Sequence, residues 1–176
     1  MKNKNKLLLM TYTAVFAALI CVTTAFVLHI PVGNGYIHVG DGIIYVTASV
    51  LPFPFGMIAA SLGGGLADFL SGYYIYIIPT VIIKSLNALC FYLAGRSVKL
   101  FSFKSIMVSV ASGLVTIVGY FIADFILFGN FGAAFAAVFP GVLQPIGSTL
   151  FYCVIAFALD KISFKERISV LNEKNM

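Results

Sequence analysis

Lys84 and Asn87 stand three residues apart in YIIPTVIIKSLNALCFYLAG, residues 76–95, a stretch that is otherwise almost wholly apolar. An ammonium group in such a run costs at least about 2.5–3.5 kcal/mol on membrane-insertion scales, so it must meet a partner or a guest. Other polar side chains also lie inside apolar runs, among them Asp41, Asp68, Asp124 and Gln144. Tyr45 follows Asp41 by four residues, Tyr120 precedes Asp124 by four, and Ser148 follows Gln144 by four. Residues three or four apart stack on one side of a helix. One cation, carboxylates, amides and tyrosine rings together suit a small polar solute that is aromatic or rich in hydrogen-bonding groups. Bond-breaking chemistry finds no support: there is no paired-His metal spacing, no Gly-x-Ser-x-Gly and no phosphate-cradling loop before a helix. SLGGGLAD is Gly-rich but lies in an apolar run, where small residues let backbones approach in lipid. The expectation is a non-enzyme with neither metal nor cofactor. Cys21, Cys90 and Cys153 fall inside apolar runs without paired spacing and read as free, buried thiols.

Plainer roles exist for the same residues. Lys84 can pair with Asp68 or Asp124 as a structural tie between helices. Asp41 can cap a helix start, where Asp is favoured. His38, in an outer loop, is either a surface residue or a ligand contact. Gln144 precedes Pro145 and can repair hydrogen bonding at a kink. Tyr73, Tyr74 and Tyr76 sit where an interfacial aromatic belt is expected.

The elements that position these groups follow from composition. The chain of 176 residues is 61% hydrophobic and only 10% charged, whereas a soluble domain is about a quarter charged. So much apolar surface cannot be hidden in one water-soluble core, and lipid is the solvent for most of the chain. A crossing helix needs about 20 mostly apolar residues. Six candidate spans emerge, at roughly 7–28, 40–53, 55–72, 76–95, 105–128 and 139–160. The second is short, and the third is interrupted by Gly63, Gly64 and Gly65. Pro52 and Pro54 force a break between them, as a tight hairpin at one face or as one kinked span. The first apolar run reads as a retained span, not a removable signal.

Basic residues set the orientation. Lys2, Lys4 and Lys6 precede the first span; Arg96, Lys99 and Lys104 follow the fourth; Lys161, Lys165, Arg167 and Lys174 follow the sixth. With six spans these segments share one face, which the positive-inside rule makes cytoplasmic. The opposite loops, 29–39, 73–75 and 129–138, contain no Lys or Arg. The expected architecture is all-α: a single integral membrane domain over 1–176, a six-span bundle with both termini cytoplasmic and a mixed-charge tail at 161–176. The intramembrane polar groups then fall in the outer half or near the middle, which suggests an outward-facing pocket. The expected lining is Asp41, Tyr45, Lys84, Asn87, Tyr120, Asp124, Gln144 and His38. No internal repeat favours an inverted-repeat carrier. Ala14 and Ala18, four apart with Ala17 beside them, form a smooth stripe for packing inside the bundle or docking another helix.

Together these residues resemble a known family. The Ala14–Ala18 pair, the long first outer loop, YIHVGDGIIYVTASVLPFPFGMIAASLGGGLADFLSGY and GYFIADFILFGNFGAAFAAVFPGVLQPIGSTLF are similar to the substrate-binding S components of energy-coupling-factor vitamin transporters. The resemblance covers nearly the whole chain; Gly40–Asp41 and Ala67–Asp68 are its most specific parts. It implies a cell-membrane protein that captures a water-soluble vitamin or precursor under the first outer loop. It also implies association with a membrane coupling (T) subunit and two cytoplasmic ATPase subunits, Ala14 and Ala18 facing the coupling subunit, and toppling of the chain to carry the site inward. Pyridoxine-type or hydroxymethylpyrimidine-type precursors are the nearest substrates by pattern. Val142 stands where many relatives carry Asn, and the absence of Trp disfavours thiamine. A stand-alone ion-coupled carrier using Asp68 or Asp124 as a proton site is the alternative. A third reading is an assembly protein whose polar groups fix helix register.

Overall fold

The computed structural model describes residues 2–27, 29–32, 35–95, 97 and 99–173. The parts of the orientation argument that rest on Arg96 and Lys174 lie outside them. Helix α1 runs Lys2–Phe26, followed by a two-stranded antiparallel hairpin, β1 Ile30–Val32 and β2 Gly35–Ile37, in register Pro31↔Tyr36. Then come α2 Asp41–Val50, α3 Phe55–Ser71, a 3-10 turn at Tyr74–Tyr76, and α4 Ile77–Leu93. The chain continues through α5 Phe103–Phe128, α6 Phe131–Gly141, α7 Leu143–Lys161 and α8 Phe164–Glu173.

Local chemistry sets these boundaries. Leu51 precedes Pro52 and is extended, with ψ 145°, as the proline ring demands of its neighbour; α2 stops there. Gly72, at φ 81°, ends α3 in the left-handed conformation that glycine tolerates. Ser102 and Asn130 begin α5 and α6 by accepting the N–H groups of Ser105 and Ala133.

Among the described residues, four helical stretches are long and apolar enough to cross a membrane: Lys6–Phe26, Tyr74–Leu93, Phe103–Phe128 and Phe131–Lys161. The shorter α2 is different in kind. All ten of its residues are buried, and it is packed by α1, α3, α4 and α7. It is a core helix inside the bundle, which explains why it is short and has no solvent- or lipid-facing side. Exposed Val15, Leu19, Ile78, Ile82, Val110, Leu114, Val118 and Val154 put an apolar surface around the outside. The chain is a multi-pass membrane protein built as a helical bundle.

Three expectations are corrected. The glycine run does not interrupt the third span: α3 passes through it unbroken. A Cβ at Gly63 would lie 2.7 Å from the Ala17 carbonyl oxygen of α1, and one at Gly64 would lie 2.9 Å from Lys84 Cγ of α4. The glycines therefore let α3 wedge between two neighbours. Residues 129–138 are not a loop, because α6 occupies most of them. The first outer loop carries the β1–β2 hairpin. The tail is not merely solvated: α8 buries Ile168 in the core beside Leu100, Tyr152 and α2.

Candidate solute-binding site

Helix α4, with Tyr76 of the 3-10 turn just ahead of it, faces α5 along two polar stripes, Tyr76, Thr80, Lys84 and Asn87 against Ser112, Thr116, Tyr120 and Asp124. The stripes meet rung by rung. Tyr76 Oη donates to Asp124 Oδ1 at 2.7 Å, and the hydroxyls of Thr80 and Tyr120 lie 3.0 Å apart. Asn87 Nδ2 donates to Thr116 Oγ1 at 2.8 Å, and Ser112 Oγ donates to the Asn87 carbonyl at 3.3 Å. Hydrogen bonds of this kind between membrane helices tie neighbouring spans together.

Lys84 finds its partner on α2. Its Nζ lies 2.7 Å from Asp41 Oδ1, and Gln144 Nε2 of α7 donates to Asp41 Oδ2 at 2.9 Å. Lys84, Asp41 and Gln144 are all buried. The pairing is with neither Asp68 nor Asp124. Nor does Asp41 cap its helix: it is the first helical residue, and its carboxylate turns to α4 and α7, though it still sits at the favourable end of the α2 dipole. Lys84 Nζ also lies 5.1 Å from the centroid of the Tyr120 ring, within cation–π range.

Above this network lies a cavity of about 430 Å3. Its walls are the upper part of the two stripes (Tyr76, Thr80, Thr116, Tyr120, Asp124), Phe121 of α5, Tyr36 of the hairpin and His38 just after it, Asp68 of α3, Gln144 of α7, and the alanine face of α6. The hairpin is clipped to this mouth. Tyr36 Oη donates to Asp68 Oδ1 at 2.6 Å, and the Tyr36 ring stacks on His29 at 4.0 Å and tilts against Tyr73 at 4.7 Å. His38 Nδ1 accepts the Gly40 N–H at 3.0 Å, which leaves the ring proton on Nε2. Burial lowers the His38 pKa to about 3, so its ring is neutral at physiological pH.

His38, Tyr120, Asp124 and Gln144, four of the residues expected from sequence, line the cavity. Asp41 and Lys84 form the layer beneath it. Asn87 is deeper still and ties α4 to α5. Tyr45 lies apart from the cavity wall, packed between Phe91 at 5.5 Å and Tyr152 at 6.0 Å in the aromatic core. Tyr76 is buried in the wall, not in an interfacial belt, whereas Tyr74 is exposed. Sequence reasoning missed Tyr36, Asp68, Thr80 and Thr116 as lining. The last two were legible, since Thr80 is four before Lys84 and Thr116 four before Tyr120. Ala14 and Ala18 are exposed on the outer side of α1, while Ala17 turns inward.

The profile of the family described as ECF-type riboflavin transporter, S component, matches residues 4–164. The chain belongs to this family, a family of transporter components and not of enzymes. The chain is also 25% identical over 143 residues to an uncharacterized protein of Pyrococcus woesei, described only by its place in a gap 3′ region; the match covers 81% of this chain and 95% of that one.

Proposed function

We propose that the chain is the solute-capturing subunit of an ATP-driven importer, and that its solute is an uncharged, planar, hydroxyl-bearing vitamin of the riboflavin class. The observation that carries the solute chemistry is the charge balance of the cavity. No Lys or Arg is among its described lining residues, and the cation beneath it, Lys84, is already paired with Asp41. Two carboxyl groups, Asp68 and Asp124, are in the wall. Such a wall takes hydrogen-bond donors and opposes a carboxylate or phosphate. Tyr36, Tyr76, Tyr120 and Phe121 offer aromatic surface to a flat ring. The volume falls within the roughly 300–1,000 Å3 of small-molecule sites. A one-ring pyridoxine-type or hydroxymethylpyrimidine-type vitamer, nearest by sequence pattern, would leave most of it wet.

In this reading the chain crosses the bilayer with both termini cytoplasmic and the cavity opening outward, the hairpin acting as its cover. The six crossings of the sequence expectation include the buried α2. A membrane T subunit docks on the Ala14–Ala18 face, and two cytoplasmic ATPases supply the energy.

The test is to purify the full chain without added ligand, record its visible absorbance and identify any released small molecule by mass spectrometry. Riboflavin, pyridoxine and hydroxymethylpyrimidine are then titrated by calorimetry. A bound flavin, or saturable riboflavin binding without transport by the chain alone, is the expected result. Binding of a one-ring vitamer but not riboflavin would reassign the solute. Proton-driven uptake by the chain alone in liposomes would replace the subunit reading with the ion-coupled carrier.

A further inference from the structure

A second cleft lies at the opposite end of the bundle, where the α4–α5 connection meets the end of α7. Lys99, Phe101, Phe157, Asp160 and Lys161 line its roughly 270 Å3. Asp160 builds it. Its Oδ1 accepts the N–H of Leu100 at 3.0 Å and its Oδ2 that of Phe101 at 2.8 Å. Tyr152 Oη donates to the Leu100 carbonyl at 2.7 Å, and Lys165 Nζ donates to the Ser97 carbonyl. These bonds draw the connection against α7 and α8, so that Lys99 and Lys161 flank one opening. They also commit both oxygens of the cleft's carboxylate to backbone N–H groups.

The cleft is amphipathic. Lys161 Nζ lies 4.5 Å from the Phe157 ring centroid, and Phe157 meets Phe101 edge-on at 5.8 Å. The two rings remain 52% and 43% exposed, and neighbouring Phe103 is 79% exposed. Ammonium groups thus rim a floor of open aromatic surface at the end of membrane-length helices. Basic pockets between helices at the membrane surface attract lipid headgroups, and aromatic rings suit the boundary between headgroup and acyl chain. A free inorganic anion would use the lysines and leave the rings without a role.

We propose that this cleft holds an anionic phospholipid, its phosphate between Lys99 and Lys161 and the first methylenes of its chains on Phe101 and Phe157. This site is independent of the solute assignment. Full-length protein in mild detergent is incubated with phosphatidylglycerol or phosphatidylcholine of identical chains, and bound lipid is counted by native mass spectrometry. Phosphatidylglycerol is retained about tenfold more than phosphatidylcholine, a preference set by two lysines near the headgroup. Lys99→Gln with Lys161→Gln abolishes the preference, and either single change reduces it. Phe157→Ala lowers retention. Lys104→Gln, a nearby lysine outside the cleft, leaves the preference intact. Equal retention of the two lipids, an unchanged preference in the double variant, or an equal loss in Lys104→Gln would overturn the site. Displacement of phosphatidylglycerol by inorganic phosphate would make it a plain anion site and overturn the lipid assignment.

Discussion

Lys84 and Asp41 are both fully buried and lie 2.7 Å apart. Removing one member of such a pair leaves an uncompensated charge, at a cost of about 3–5 kcal/mol. Lys84→Ala is therefore expected to lower the thermal unfolding temperature in detergent and to weaken solute binding, while the chain still inserts. Lys84→Met combined with Asp41→Leu should recover much of the stability, because neither charge is stranded. Melting of the single variant at the wild-type temperature would show that the pair carries little. His38 makes a separate prediction. Its pKa of about 3 in the fold lies below the roughly 6.5 of a free imidazole. The unfolded chain takes up the proton first, so stability present above about pH 6.5 is lost progressively as pH falls toward 3. Melting measured across that range should show a steeper acid loss in wild type than in His38→Asn.

Among elements, α3 depends on close approach and the hairpin on one tyrosine. Gly63→Ala would set a Cβ 2.7 Å from a backbone oxygen of α1, and overpacking of that kind costs about 1–3 kcal/mol. Thermal unfolding of the variant reads this directly. Tyr36→Phe removes the hydroxyl that donates to Asp68. A hydrogen bond to a charged group contributes about 1.5–3 kcal/mol, so the bound solute should dissociate about tenfold faster or more, measured by stopped-flow dilution. The boundaries of α2, α3 and α5 were legible to within a few residues because Pro52, Gly72, Ser102 and Gly129, which ends α5 at φ 63°, act locally. Lys84's partner was not, since Asp41, Asp68 and Asp124 lie at similar depth and only packing chooses among them. Tyr45 was assigned to the pocket because four-residue spacing fixes a face, but four residues also rise about 6 Å, enough to drop it beneath the cavity. Helix α6 was hidden in an Ala- and Phe-rich run that reads as the start of the next span. Asn130 ahead of that run was its available signal. The three-residue strands are too short to show any periodicity.

Across the whole molecule, the outer side of α1 offers Ala14 and Ala18 beside exposed Val15, Leu19 and Val22. Ala14→Trp faces away from the cavity and should spare solute affinity while blocking assembly with a T subunit. Co-purification with coupling partners at normal yield would remove this face from the interface. The placement of α2 also has a consequence for how the chain is made. Its Asp41 leaves the ribosome well before Lys84, and α2 has no face of its own turned to acyl chains. The carboxylate must await a counter-ion two helices downstream, so α2 can settle only after α4 has been synthesised. Biogenesis therefore passes through a half-made chain in which an acidic side chain is still unmatched, the stage at which an insertase or chaperone would have most to protect.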